Sequence, residues 1–168
     1  MFRQEKGGND MAMKRLVFAT DFSAYSKEAL EYAVQFALKL GAELYLLHVF
    51  ERPFFSGPGV SMNVRIQHGI EEWVREVKAE ESKKLDALVE EVRGRGVTVH
   101  PLFKEGIPFV EILKTAEEIP ADLLVLGTHG RTGLSHVLMG SVAQRVVQKS
   151  ACPVLTVRPK AHAGAKAG

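Results

Sequence analysis

The chain has 168 residues, 46% of them hydrophobic and 25% charged, with a formal net charge of +2. That length and composition fit one globular domain with a substantial core, and no apolar run approaches membrane-spanning length. The small charge, without basic stretches interleaved with aromatics, excludes an electrostatically driven nucleic-acid binder, and the single cysteine, Cys152, excludes an internal disulfide. These features predict a soluble cytoplasmic protein with neither nucleic acid nor a membrane as partner.

Residues 1–13 are polar and aperiodic and read as a flexible arm ahead of a domain over 14–158. Lys14-Arg15-Leu16-Val17-Phe18-Ala19 is a first strand, apolar after a basic opening. Thr20-Asp21-Phe22-Ser23 turns into a helix over about 24–40, whose Leu30, Ala33, Phe36, Ala37 and Leu40 recur at helical spacing, with Gly41 as its stop. Glu43 to Phe50 is a second strand. Residues 51–69 carry two prolines, three glycines and the adjacent Phe54 and Phe55, and read as a loop over a cleft or as a surface contact.

Ile70 to Arg93 predicts a long helix with Val74, Val77, Leu85, Leu88 and Val92 on one face, supported by the i,i+4 pairs Glu71–Arg75 and Glu80–Lys84. Val97 to Phe103 is a third strand, which Pro101 confines to a sheet edge because proline cannot donate to a ladder. Gly106-Ile107-Pro108 opens a helix to about Glu118, with proline in its first turn. Leu123 to Leu126 is an uninterrupted apolar strand of the kind buried on both faces of a parallel sheet. Val142 to Lys149 forms a last helix and Pro153 to Arg158 a fifth strand. The Ala, Gly and Lys tail over 159–168 reads as disordered.

The alternation predicts an α/β fold: a single open, mostly parallel five-stranded sheet with helices on both faces. Right-handed crossovers and an edge position for the third strand favour the order 3-2-1-4-5. That order sets strands one and four side by side at a topological switch point, where open α/β sheets bind ligands.

The two loops at that point carry the motifs. After the fourth strand stands Gly127-x2-Gly130-x9-Gly140-Ser141, leading into a helix that Ser141 and Gln144 open as a capping box. Glycines let backbone N–H groups approach an anion, and a helix N-terminus adds partial positive charge, so the pattern suits a phosphate-bearing ligand. It is neither a P-loop nor a dinucleotide fingerprint. With Thr20-Asp21-Phe22-Ser23 after the first strand and Leu46-Leu47-His48-Val49 in the second, the chain resembles the ATP-binding branch of the universal stress protein family. The resemblance runs from about Lys14 to Arg158.

The resemblance implies the same Rossmann-like sheet order and an ATP site. In it, Asp21 accepts from the ribose hydroxyls, and Val49 offers its backbone to the adenine edge. Thr20 is a pocket wall, and Gly127, Gly130, Gly140, Ser141 and Val142 surround ribose and phosphates. Each residue also has a plainer reading: Asp21 as a helix cap, Val49 as core, Thr20 and the glycines as turn formers, Ser141 as an N-cap. Arg131 is a phosphate contact or a solvated loop residue. His48 reads as a satisfied core histidine, His129 and His136 as exposed loop residues, and Cys152 as buried and inert. No metal-ligand spacing stands in the chain, so Mg2+ or Mn2+ would arrive with ATP and be held mainly by its phosphates.

The implied function is an ATP-binding sensor or regulatory module of the stress response. The cradle comes without an evident general base, so hydrolysis is at most slow. The alternatives are a nucleotide-independent interaction module and an adenylylating enzyme. A homodimer is implied through the fifth strand, 154–158, whose exposed edge needs a partner.

Overall fold

The computed structural model describes residues 12–53, 64–130 and 139–158, with the side chains of 64–67 excepted. Residues 1–11 of the expected arm over 1–13, Phe54 and Phe55, Arg131, His136 and residues 159–168 of the expected tail lie outside the described residues. Among the described residues nine elements follow one another: β1 (Arg15–Thr20), α1 (Ala24–Leu40), β2 (Glu43–Phe50), α2 (Val64–Gly94), β3 (Val99–Glu105), α3 (Pro108–Glu118), β4 (Leu123–Gly127), α4 (Ser141–Lys149) and β5 (Val154–Val157). The strands form one sheet, β3-β2-β1-β4-β5, and every neighbouring pair is parallel. This is the predicted order, with β1 and β4 together at its centre.

Strand alternation divides the core into two layers. Leu16 and Phe18 of β1, Leu44 and Leu46 of β2 and Leu123 and Val125 of β4 pack under α1 and α2. Val17, Leu47, Leu124 and Leu126 face the other way, toward Ile112 and Ala116 of α3 and Ala143 and Val146 of α4. Each fully buried leucine or phenylalanine here contributes roughly 1.5–3 kcal/mol. The near-continuous apolar reading of these strands is therefore burial on both faces.

Helix α1 begins at Ser23, whose hydroxyl accepts from Ser26 N–H, and ends at Gly41 in the left-handed region at φ 64°. The predicted inward face is partly corrected. Leu30, Ala33 and Ala37 are buried with Ala29 and Val34, whereas Phe36 and Leu40 are 37% and 47% exposed. Three alanines four residues apart bring the helix close to the sheet, which turns Phe36 off the contact arc; Leu40 sits in the last turn.

Helix α2 starts at Val64, six residues before the predicted Ile70, and runs through Gly69. Glycine costs a helix interior about 1 kcal/mol, which does not stop a helix this long. Val74, Leu85, Val89 and Val92 are buried along it. The expected Glu80–Lys84 pair forms at 2.7 Å, while Glu71 reaches Arg52 at the end of β2.

Strand β3 lies two residues beyond the predicted span, because Lys104 and Glu105 continue the ladder opposite Val49 and Phe50. It is the edge strand that Pro101 requires. Cys152 is half-buried rather than fully enclosed, with Sγ 3.5 Å from Ser150 Oγ. At the opposite end of the sheet from the glycine loop, Asp122 ties β4 to β1. Its N–H donates to Arg15 O at 2.8 Å, and its carboxylate accepts from the N–H groups of Lys14 and Arg15, both at 2.8 Å.

Candidate functional site

The carboxyl ends of β1 and β4 carry the two predicted loops, and the structure brings them into contact. After β1 the chain makes a tight turn in which side chains satisfy the backbone. Phe22 N–H donates to Thr20 Oγ1 at 3.0 Å, and Ser23 N–H to Asp21 Oδ1 at 3.0 Å. The Ser26 hydroxyl donates to Ser23 O at 2.9 Å, so the Thr20 hydroxyl is the donor in its 3.1 Å contact with Ser26 Oγ. Thr20 is buried, and its hydroxyl is used inside the turn. Phe22 sits at φ 62°, a left-handed conformation that disfavours a bulky residue. Such strain persists where its surroundings over-determine it.

Asp21 does not cap α1, since Ser23 does. Its Oδ2 points across to the β4 loop, where a Cβ built on Gly130 would stand 2.8 Å away. The carboxylate thus occupies the room that the missing side chain leaves. Gly140 folds back onto the same loop: its N–H donates to Thr128 O at 2.7 Å, and a Cβ there would lie 3.3 Å from that oxygen and 3.9 Å from Gly130 N. Asp21, Gly130 and Gly140 form one contiguous surface.

Gly127 stands apart. A Cβ on it would meet the Tyr25 carbonyl carbon and oxygen at 3.2 Å, so packing against the first turn of α1 explains this glycine. Thr128 N–H pairs with Val157 O of β5 at 2.9 Å, and Thr128 Oγ1 contacts His129 Nδ1 at 3.0 Å. The His129 ring lies 5.5 Å from that of Tyr25 and is half-buried, not an open loop side chain.

The capping box at α4 is corrected. Gly140, extended at φ −68° and ψ 157°, is the N-cap, and among the described residues no side chain caps the helix. Gln144 N–H donates to Gly140 O, which makes Ser141 the first helical residue, exposed, with Val142 half-buried behind it. The first N–H groups of a helix have no intrahelical acceptor, and this helix start adjoins Gly130. Val49 is the first β2 residue past the end of β1, because the β1–β2 ladder stops at Thr20 opposite His48.

His48 is the satisfied core histidine expected from its setting, but its partners place it under the β1 turn. Nδ1 bonds Thr20 O at 2.8 Å and Nε2 bonds Glu81 Oε2 at 2.9 Å. Glu81 is a site residue that sequence reasoning passed over. Its signal was position: it falls seven after Val74 and four before Leu85, a carboxylate on the apolar stripe of α2.

The sequence pattern of the universal stress protein family matches residues 13–158. Universal stress protein MJ0531 of Methanocaldococcus jannaschii is 39% identical over 145 residues, covering 86% of this chain and 82% of its own. The solved structure of MJ0577 from the same organism superposes with a TM-score of 0.76 at 30% identity, covering 89% of this chain and 98% of that one. A universal stress protein solved in complex with cAMP superposes at 0.60 with 26% identity, covering 87% and 97% of the two chains. Sequence pattern, sheet order and loop placement agree, and the chain belongs to the universal stress protein family.

Proposed function

We propose that this protein binds an adenine nucleotide, ATP, at the β1–β4 switch point and serves as a cytoplasmic regulatory module of the stress response. The observation that carries the reading is the Asp21 carboxylate filling the space over Gly130, next to a helix start whose N-cap residue is a glycine. A carboxylate there accepts from both ribose hydroxyls. The backbone of Val49, just beyond the end of β1, meets the adenine edge. The N–H groups of Ser141 and Val142 receive phosphate, with the helix dipole adding to their attraction. Any Mg2+ or Mn2+ is held mainly by the phosphates, and hydrolysis is at most slow. Binding of cAMP by a relative supports the adenine class of ligand.

The direct test denatures the freshly purified protein, identifies any released nucleotide, and titrates ATP into the emptied chain by calorimetry. Saturable binding of one ATP per chain is expected. No bound nucleotide and no heat on titration would return the glycine loop to a purely architectural role and favour a nucleotide-independent interaction module. We further propose a homodimer through the outer edge of β5, over 154–158. Val154, Leu155 and Thr156 are only half-buried there, and β4 covers one side of the strand.

A further inference from the structure

Below the Asp21 turn lies a polar pair that the nucleotide reading does not use. His48 is 2% exposed, and the side chain of Glu81 8%. Burying such a pair is costly, and apolar residues of similar volume often serve stability as well, so the arrangement asks for a further reason. Its hydrogen-bond logic is fixed by one atom. Thr20 O can only accept, so His48 Nδ1 carries a hydrogen. Nε2 and Glu81 Oε2, 2.9 Å apart, then share one further proton, because two bare acceptors would repel.

The imidazole therefore donates upward into the β1 turn while α2 holds it from below. It touches that turn twice, since the Phe22 ring lies on it with centroids 4.4 Å apart; the Phe103 ring closes another side at 5.5 Å. Between those two contacts stands Asp21. Val49 is the next residue along β2. Helix α2, about 46 Å long at 1.5 Å per residue, far outreaches the strands beneath it. Lys78–Glu105 at 2.6 Å and Arg52–Glu71 at 3.4 Å tie it to the end of β3 and to the chain just past β2, at the same end of the sheet as the nucleotide loops. Those two ties are exposed; His48–Glu81 is the buried one.

We infer that His48 and Glu81 are positioning residues of the nucleotide site: the pair braces the Thr20–Phe22 turn from α2, keeps Phe22 in its left-handed conformation, and so aims Asp21 at Gly130. The inference rests on the nucleotide reading above. Affinity for ATP then depends on a contact that no ligand atom touches, and by reciprocity the ligand steadies α2 around Glu81.

The test titrates ATP into full-length wild type, His48→Phe, Glu81→Leu and Glu81→Gln, recording urea midpoints and exchange of the Phe22 amide for each. Phenylalanine keeps a ring against Phe22 but cannot donate to Thr20 O. Glutamine still donates to a neutral Nε2. His48→Phe and Glu81→Leu are expected to bind ATP about tenfold more weakly and to exchange the Phe22 amide about tenfold faster, the scale of one lost buried hydrogen bond. Glu81→Gln should stay within about twofold of wild type on both. Wild-type affinity in folded His48→Phe and Glu81→Leu would overturn the inference, whatever their urea midpoints. So would a folded Glu81→Gln as weak as Glu81→Leu. A wild type that takes up no ATP, while Phe22 exchange still responds to His48→Phe, would instead refute the nucleotide reading itself.

Discussion

Asp21 and Gly130 are complementary across the gap between β1 and β4: the carboxylate oxygen Oδ2 stands 2.8 Å from where a Gly130 side chain would begin. Gly130→Ala must displace one of them. The expected result is a loss of ATP affinity of about tenfold or more, with less than about 1 kcal/mol lost in stability because the loop lies at the sheet's rim. Asp21→Asn keeps an oxygen for Ser23 N–H and so keeps the turn, but loses the charge offered to ribose. It should weaken binding about 10–100-fold, in line with charge-assisted hydrogen bonds of about 1.5–3 kcal/mol. Calorimetry beside urea unfolding separates the two effects, and an Asn variant with native affinity would remove Asp21 from the site.

Gly127→Ala should behave in the opposite way. Its Cβ would press on the Tyr25 backbone at 3.2 Å, and backbone cannot swing aside as a side chain can. A stability loss of about 1–3 kcal/mol is expected. ATP affinity of the folded fraction should change little. A stable Gly127→Ala protein that no longer binds would show that this glycine serves the ligand directly.

Asp122 makes an acid-sensitive tie. Burial pushes its carboxyl pKa up, but the Lys14 and Arg15 N–H donors and the positive charges beside it outweigh that and leave it lowered. A lowered folded-state pKa gives stability that is present above the unfolded value, about 3.9, and is lost as pH falls through the folded one. Asp122→Asn, which can still accept from both N–H groups through one oxygen, should flatten the stability profile below about pH 4. Asp122→Ala, which can accept from neither, should cost about 1–2 kcal/mol at neutral pH. Urea midpoints between pH 2.5 and 7 give both readings, and an Asn variant with the wild-type acid slope would assign that slope elsewhere.

The proposed dimer edge has a one-residue test. Pro153 O and Val157 O both point to β4, accepting from Leu124 and Thr128. Alternation along the strand therefore turns the N–H of Thr156 outward. Thr156→Pro removes an outward donor and leaves the β4 ladder alone, as edge strands tolerate. A wild-type dimer becoming a folded monomer in sedimentation is the expected outcome. A wild type that stays monomeric at all concentrations would discard the interface.

The sequence by itself determined the architecture and where the candidate site's loops fall in it. Five strand patterns alternating with four helical ones, with Pro101 forcing an edge, leave few ways to arrange a parallel sheet. The glycine spacing and Asp21 fall on the two loops at its switch point, because local composition and backbone freedom are written residue by residue. What the tertiary structure decided were matters of distance and facing. It set Gly127 against the Tyr25 backbone, whereas Gly130 adjoins both Asp21 and Gly140. It gave the N-cap of α4 to Gly140 instead of Ser141, and turned Phe36 outward on α1. It also joined His48 to Glu81 across 33 residues of chain. A long-range hydrogen bond leaves no periodicity behind, so a histidine on β2 and a glutamate on α2 each look ordinary until the fold sets them 2.9 Å apart.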